Sequence, residues 1–349
     1  MDIGRYQLSK APRKQITGFL ADHTEGTLFH TPGWQEVIRA TYGHECDYWL
    51  ARSGSQITGL LALTRVRVSG LGEKHIALPY QFHAGQPISE SEDVASALAE
   101  AALDAAESRG ARYLEIRSHA PAPHLEGSAL QATDPGLVLT SVALDGLEEK
   151  TIRRNHRRGV RSADAAGVKV ENGTTLEDLR AFRRLLLAES RRLGVPQAGW
   201  RFFRGLHEQL PECYRLFLAH QDGRLLGALL NLEDERTVFA RYGIYSSPEA
   251  LRLHVPQALY WHAIRDAAAR GRRTFSCGIS AKSDEGLIRW KEGWGGVTAP
   301  VHTYVKSMRA EAPSAGDYLD GYRLAKSVWR QLPIPLVDLG GRLVTRWVC

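Results

Sequence analysis

Residues 218–230 read Leu218-Ala219-His220-Gln221-Asp222-Gly223-Arg224-Leu225-Leu226-Gly227-Ala228-Leu229-Leu230. An apolar run, an Asp-Gly turn and a second apolar run predict a β-hairpin. The same plan stands 168 positions earlier, where Leu50-Ala51 passes through Ser53-Gly54-Ser55 to Gly59-Leu60-Leu61. In each copy the glycine follows the leucine by nine positions. Two more pairs keep the order: Gly33-Trp34 with Gly199-Trp200 at an offset of 166, and Arg109-Gly110-Ala111-Arg112 with Arg270-Gly271-Arg272-Arg273 at an offset of 161. An ordered series with slowly drifting offsets is what a duplicated unit with small insertions leaves. Two copies of one α/β unit also create a cleft, the expected place for a ligand.

Outward from the hairpins, the first copy predicts a helix from Pro32 or Gly33 to Thr41, strands over 57–68 and 76–78, and an aromatic loop, Pro79-Tyr80-Gln81-Phe82-His83-Ala84-Gly85. A helix over 91–108 follows, with Ser91 as N-cap, acidic residues in its first turn and Gly110 as its stop. Strands over 113–117 and 138–144 are expected to complete this unit, the latter closing it, with a loop over 120–135. The second copy predicts a helix over 176–193, a second helix through Phe202-Phe203, strands over 214–219, 225–233 and 237–242, a helix from Pro256 to Ala269 and a strand over 274–278. The fold class is α/β (α+β) with mixed sheets. Expected boundaries are 1–150 for the first unit, 151–310 for the second and 311–349 for a C-terminal helical tail.

With 349 residues, 43% hydrophobic and 24% charged, the chain has the composition of a globular protein with a core in each half. Its four cysteines are scattered without a C-x-x-C pair, so no disulfide framework or metal site is expected and a reducing compartment fits. The start lacks an apolar h-region and no apolar run reaches the length of a membrane span, so a cytoplasmic protein is expected. A formal charge of +6 leaves room for an anionic partner such as RNA, a nucleotide-linked precursor or a membrane face, without choosing among them.

Several stretches carry a resemblance beyond periodicity: Phe29-His30-Thr31-Pro32-Gly33-Trp34, Leu78-Pro79-Tyr80, Arg191-Arg192-Leu193-Gly194-Val195-Pro196, Leu259-Tyr260-Trp261 and Trp290-Lys291-Glu292-Gly293-Trp294-Gly295. With these the chain resembles the FemAB-type transferases over nearly its whole length, most of all their branch found beside exosortase and exopolysaccharide systems. The resemblance implies two tandem GNAT-like units and transfer of an aminoacyl group, from aminoacyl-tRNA, onto an amine of a peptidoglycan, exopolysaccharide or other cell-envelope precursor, nucleotide- or lipid-linked. One motif departs: where the family reads Phe-Asp-Phe-Gly-Arg-Ser, this chain has Phe275-Ser276-Cys277-Gly278-Ile279-Ser280. An acyl-CoA-dependent GNAT N-acetyltransferase and a non-catalytic scaffold in polysaccharide assembly are the alternatives.

The residues speak to the donor. A CoA-using GNAT cradles pyrophosphate with backbone N–H groups of a glycine-rich loop at a helix start. Here the second copy offers Leu251-Arg252-Leu253-His254-Val255-Pro256, without glycine and with a proline that removes a donor. The first offers Ser89-Glu90-Ser91-Glu92-Asp93, whose carboxylates repel a pyrophosphate. No tightly bound cofactor is expected.

Transfer from an ester to an amine needs alignment, a neutral amine and stabilisation of an oxyanion. The resemblance gives Lys291 the oxyanion role; a surface lysine is the other reading. Asp284 and Glu285 are candidates to accept a proton or orient the amine, against a turn and helix cap. Candidates for binding substrate are Tyr80, His83 and Gly85 on the first loop, Tyr242 and Tyr260 along the cleft, and Ser280, Lys282 and Trp290 near Lys291. Arg153, Arg154, Arg157 and Arg158 are candidates for anion binding, or form a solvated helix face. The tail mixes Trp329 and Trp347 with Arg330, Arg342 and Arg346, which suits either peripheral contact with the inner face of a membrane or packing on the second unit.

Overall fold

The computed structural model describes residues 1–68, 72–80, 84–134, 136–245, 247–309 and 323–346. In chain order its strands are β1 (Asp2–Gln7), β2 (Glu45–Ser53), β3 (Gln56–Val68), β4 (Gly72–Ala77), β5 (Ile88–Ser89), β6 (Tyr113–Ser118), β7 (Gln131–Thr133), β8 (Leu137–Ala143), β9 (Lys169–Gly173), β10 (Tyr214–Gln221), β11 (Arg224–Glu233), β12 (Thr237–Ile244), β13 (Thr274–Ala281), β14 (Val297–Pro300) and β15 (His302–Ser307). Among the described residues they form two sheets. One has the order β1-β2-β3-β4-β6-β15-β7, with β5 on β3; the other is β14-β8-β13-β12-β11-β10-β9. Both are mixed, since β4 pairs with β6, and β12 with β13, in parallel.

The repeat is visible at the level of single hydrogen-bonded pairs. Ala51 stands opposite Gly59 in the β2–β3 hairpin, and Ala219 opposite Gly227 in β10–β11, each with a bulge directly after the alanine. The glycines have one purpose. A Cβ on Gly59 would lie 2.5 Å from Val94 Cγ1, and one on Gly227 2.8 Å from Val255 Cγ1 and from the Ile244 carbonyl oxygen. Val94 and Val255 begin the helices Glu92–Ser108 and Val255–Ala269, so each glycine lets a helix settle onto its hairpin.

Both helices also end alike. Gly110 and Gly271 take left-handed φ of 65° and 72°. The next N–H groups, of Ala111 and Arg272, reach back to the carbonyls of Ala106 and Ala267. Arg112 and Arg273 then donate to the Glu73 and Arg236 carbonyls at 2.8 Å, which delivers the chain into β6 and β13. Each unit packs its own core. The first includes Trp49, Leu61, Leu98, Leu114 and Ile116. The second includes Phe217, Leu229, Leu259, Ile264 and Phe275. Each such side chain contributes about 1.5–3 kcal/mol on burial.

The compact units are not consecutive blocks of chain. The first takes Met1–Leu137, then residues from Pro300 through β15 and the chain end from Leu343; the second takes Val138–Ala299 and Arg323–Arg342. Strand β8, expected to close the first unit, belongs to the second sheet, and the Leu144 N–H donates to the Arg273 carbonyl there at 2.8 Å. The place beside β6 is taken by β15, antiparallel, with Tyr304 opposite Ile116. In β8 Val138, Thr140 and Val142 are buried in alternation. Such a pattern fixes which face of a strand is apolar but not which sheet receives it.

Local expectations hold at Ser91, whose hydroxyl caps the helix at Val94 N–H, and at Pro256 in a helix first turn. The stretch 120–135, read as loop, contains a short helix, Pro123–Gly127, and β7. The tail helices are Arg323–Gln331 and Ile334–Val344. Trp329 is buried, and its indole N–H donates to Ser190 Oγ at 3.3 Å.

Candidate active site

The second unit brings several of the expected residues together where β13 turns into the helix Glu285–Glu292. Lys291 is not a surface lysine: 5% of it is exposed. Its Nζ donates to the Gly278 carbonyl at 2.8 Å and the Ile279 carbonyl at 3.0 Å. Burial pulls its pKa from 10.5 down to about 8, with Cys277 and Asp284 acting weakly the other way. At neutral pH the ammonium is retained, out of water. Two of its three N–H donors are committed, which leaves one for a ligand oxygen. Gly278 makes this possible with a left-handed φ of 76°, and a Cβ there would lie 4.0 Å from Lys291 Nζ.

The motif around Lys291 is the frame that holds it. Trp290 packs edge-on against Tyr260 at 4.7 Å and against Trp294 at 5.8 Å, and Tyr260 also faces Tyr245. His156 Nε2 donates to the Trp290 carbonyl at 2.8 Å. Gly293 is obligatory, since a Cβ there would meet His156 Nε2 at 2.6 Å. Burial lowers the His156 pKa, so the ring is neutral and serves as a donor to the end of the helix. Cys277, beside the lysine on β13, is a buried thiol whose pKa is pushed up to about 12 by burial. Ser280 is buried too, and its hydroxyl has no hydrogen-bond partner among the described residues.

The remaining candidates sort as follows. Asp284 accepts the Leu287 N–H at 3.1 Å and is the N-cap of its helix. Glu285 is exposed and pairs with Arg289 one turn on, at 2.9 Å. Lys282 is exposed on the turn before them. Tyr242 and Tyr260 do not share a wall. Tyr242 packs against Phe182 and Phe203, Tyr260 against the tryptophans. In the first unit Tyr80 adopts a φ of 70°, stacks on Tyr42 at 4.3 Å and donates to the Arg346 carbonyl at 2.9 Å. Gly85 is packing: its N–H donates to the Arg117 carbonyl, and a Cβ would strike the Ala77 backbone at 2.7 Å. His83 lies outside the described residues.

The arginines divide. Arg153 is a clamp, donating to the Arg289 carbonyl at 3.1 Å and pairing with Glu292 at 3.6 Å. Arg154, Arg157 and Arg158 follow on the helix Arg154–Ala165 with Arg161 at the spacing of one face. Arg157 and Arg161 line a pocket of about 230 Å³ with Trp261, Arg265 and Trp294. Sequence reasoning missed His156 and the Gly278 and Ile279 carbonyls; the one signal for the latter was a glycine inside a strand.

The helix starts bear on the donor. His254 itself sits at a φ of 56°, Pro256 has no N–H, and the Gln257 N–H is already given to the His254 carbonyl at 3.0 Å. In the first unit Ser91 occupies the helix start, with Glu92 and Asp93 in the first turn.

The architecture is a mixed α/β fold of two GNAT-like units. A family profile described as Acetyltransferase (GNAT) domain matches residues 150–292, within the second unit and its approach. In overall fold the chain is similar to FemX, with a TM-score of 0.71 at 14% identity over 93% of this chain and 100% of that one. It is similar to L-PGS from Bacillus licheniformis, at 0.54 and 15% over 97% of each chain. A tandem GNAT protein from the clavulanic acid biosynthesis pathway matches at 0.55 and 13% over 89% and 100%. No curated protein matches in sequence.

Proposed function

We propose that the protein is a FemAB-like N-acyltransferase that moves an aminoacyl group from aminoacyl-tRNA onto an amine of a cell-envelope or exopolysaccharide precursor. The observation that carries this reading is Lys291: a desolvated ammonium, anchored by two carbonyls of β13, with one N–H left over. In the reaction the acceptor amine attacks the ester carbonyl. A C–N bond forms, the ester C–O bond breaks, and the amine proton leaves with the ribose hydroxyl. The developing oxyanion takes the free N–H of Lys291, where low local polarity makes the contact strong. Because the ester is already activated, no strong protein base is required, in keeping with Asp284 as a cap and Glu285 in a surface pair. The donor assignment is supported by the sequence resemblance and by helix starts poor in free N–H groups.

The test is a transfer assay with charged tRNA pools and, separately, acyl-CoAs, read by mass spectrometry. Transfer from aminoacyl-tRNA, lowered about 10²–10³-fold in Lys291→Met, is expected. Turnover of acyl-CoA instead assigns the other donor, and undiminished transfer by Lys291→Met removes the oxyanion role.

A further inference from the structure

The helix Ile334–Val344 is packed inside out. Its inward positions are small: Gly340 lies where a Cβ would meet the Trp329 ring at 2.9 Å, Gly341 where one would meet the Gln197 carbonyl at 2.7 Å, with Val337 buried beside them. Its leucines point to solvent: Leu336 is 48% exposed, Leu339 51% and Leu343 60%. At about 3.6 residues per turn these three fall on one stripe. The neighbouring helix exposes Val328 at 61%, and the end of the helix Leu176–Leu193, on which that helix packs, exposes Leu193 and Val195. So six of the ten exposed large apolar residues among those described sit on these few turns. They are interleaved with cations: Arg191, Arg192, Lys326, Arg330 and Arg342, against Glu189 and Asp338.

We propose that this face docks on an anionic lipid surface, with the leucines in the headgroup–acyl boundary and the arginines and lysine at the phosphates. Charge decides the occupant. Two copies of so cationic a face repel, in a chain of net charge +6. The buried Trp329 has no part in the contact; the outward leucines carry it.

The test is co-sedimentation of the full chain with phosphatidylcholine vesicles and with vesicles containing one third phosphatidylglycerol. Binding to the anionic vesicles alone, weakened by added salt, is expected. The variant L336S/L339S/L343S should bind at least tenfold more weakly, and Leu339→Ser about threefold. Because these side chains are exposed, both variants should melt at the wild-type temperature. Absence of binding, equal binding to neutral vesicles, or full binding by the folded triple variant overturns the proposal. So does a wild-type dimer in analytical ultracentrifugation that the triple variant turns into a monomer, since the face would then belong to a second copy.

Discussion

Replacing Lys291 by methionine should change how stability depends on pH. In the folded chain burial holds the ammonium at a pKa of about 8, against 10.5 for an ordinary lysine. Below pH 8 both states carry the proton, and folding bears the full cost of burying the charge. As pH rises from 8 toward 10.5 the folded state sheds its proton while the unfolded state keeps it. Unfolding then takes up a proton, so rising pH favours the native state. A difference of 2.5 units between those two values corresponds to about 3 kcal/mol, of which about 2 kcal/mol falls between pH 7.5 and 10. Methionine fills nearly the same volume without a charge, so the variant lacks this increment. Urea unfolding of both proteins at pH 7.5 and pH 10 reads it directly, because every other titrating group cancels in the difference. Wild type should gain about 2 kcal/mol on the variant over that interval. An unchanged difference would show that Lys291 is hydrated, and the argument for a strengthened oxyanion contact would fall with it.

Substitutions at four other positions test the frame. Gly59→Ala and Gly227→Ala each drive a methyl into the helix seated on the hairpin and should cost about 1–3 kcal/mol in denaturant unfolding. Asp284→Asn should keep both cap and activity, whereas Asp284→Ala should lose about 1 kcal/mol of stability; loss of turnover in the asparagine variant would restore a chemical role to the carboxylate. Glu233, wholly buried at the end of β11, takes two 2.7 Å bonds from Arg270 and also faces Arg215 and Arg272. Glu233→Gln should destabilise by about 1.5–3 kcal/mol, measured the same way, because it removes the buried charge that these partly exposed guanidinium groups bond to.

The duplication could be read from residues because its marks are local. Gly59 and Gly227 answer to a helix passing over a strand, and Gly110 and Gly271 to a helix that must stop; backbone sterics dictate such positions whatever surrounds them. Sheet membership is not local. Nothing within the seven residues of β8 distinguishes a strand that pairs with β13 from one that pairs with β6. The site falls between these cases. Trp290, Lys291 and Gly293 stood out as a motif, but the motif does not reveal that the tryptophans serve as walls or that His156, over a hundred residues away in sequence, ties the helix end. Burial of Lys291 depends on that distant packing, so a sequence reading left it open between a functional and a surface lysine. Neither residue type nor the short motif around Tyr260 tells apart the different packing environments of Tyr242 and Tyr260.

The placement of β15 has a bearing on biosynthesis. The strand that completes the first sheet is made only after the three hundred residues before it have been threaded. Until then the emerging amino-terminal half carries β6 with an open edge, a template for wrong pairing. On the ribosome its last cooperative step must wait for the carboxy-terminal half, in contrast to the usual order in which domains fold as they emerge. A gene cut after residue 150 would encode a half lacking its own closing strand and displaying one meant for its neighbour. The two halves are therefore bound to a common fate in folding, in degradation and in evolution.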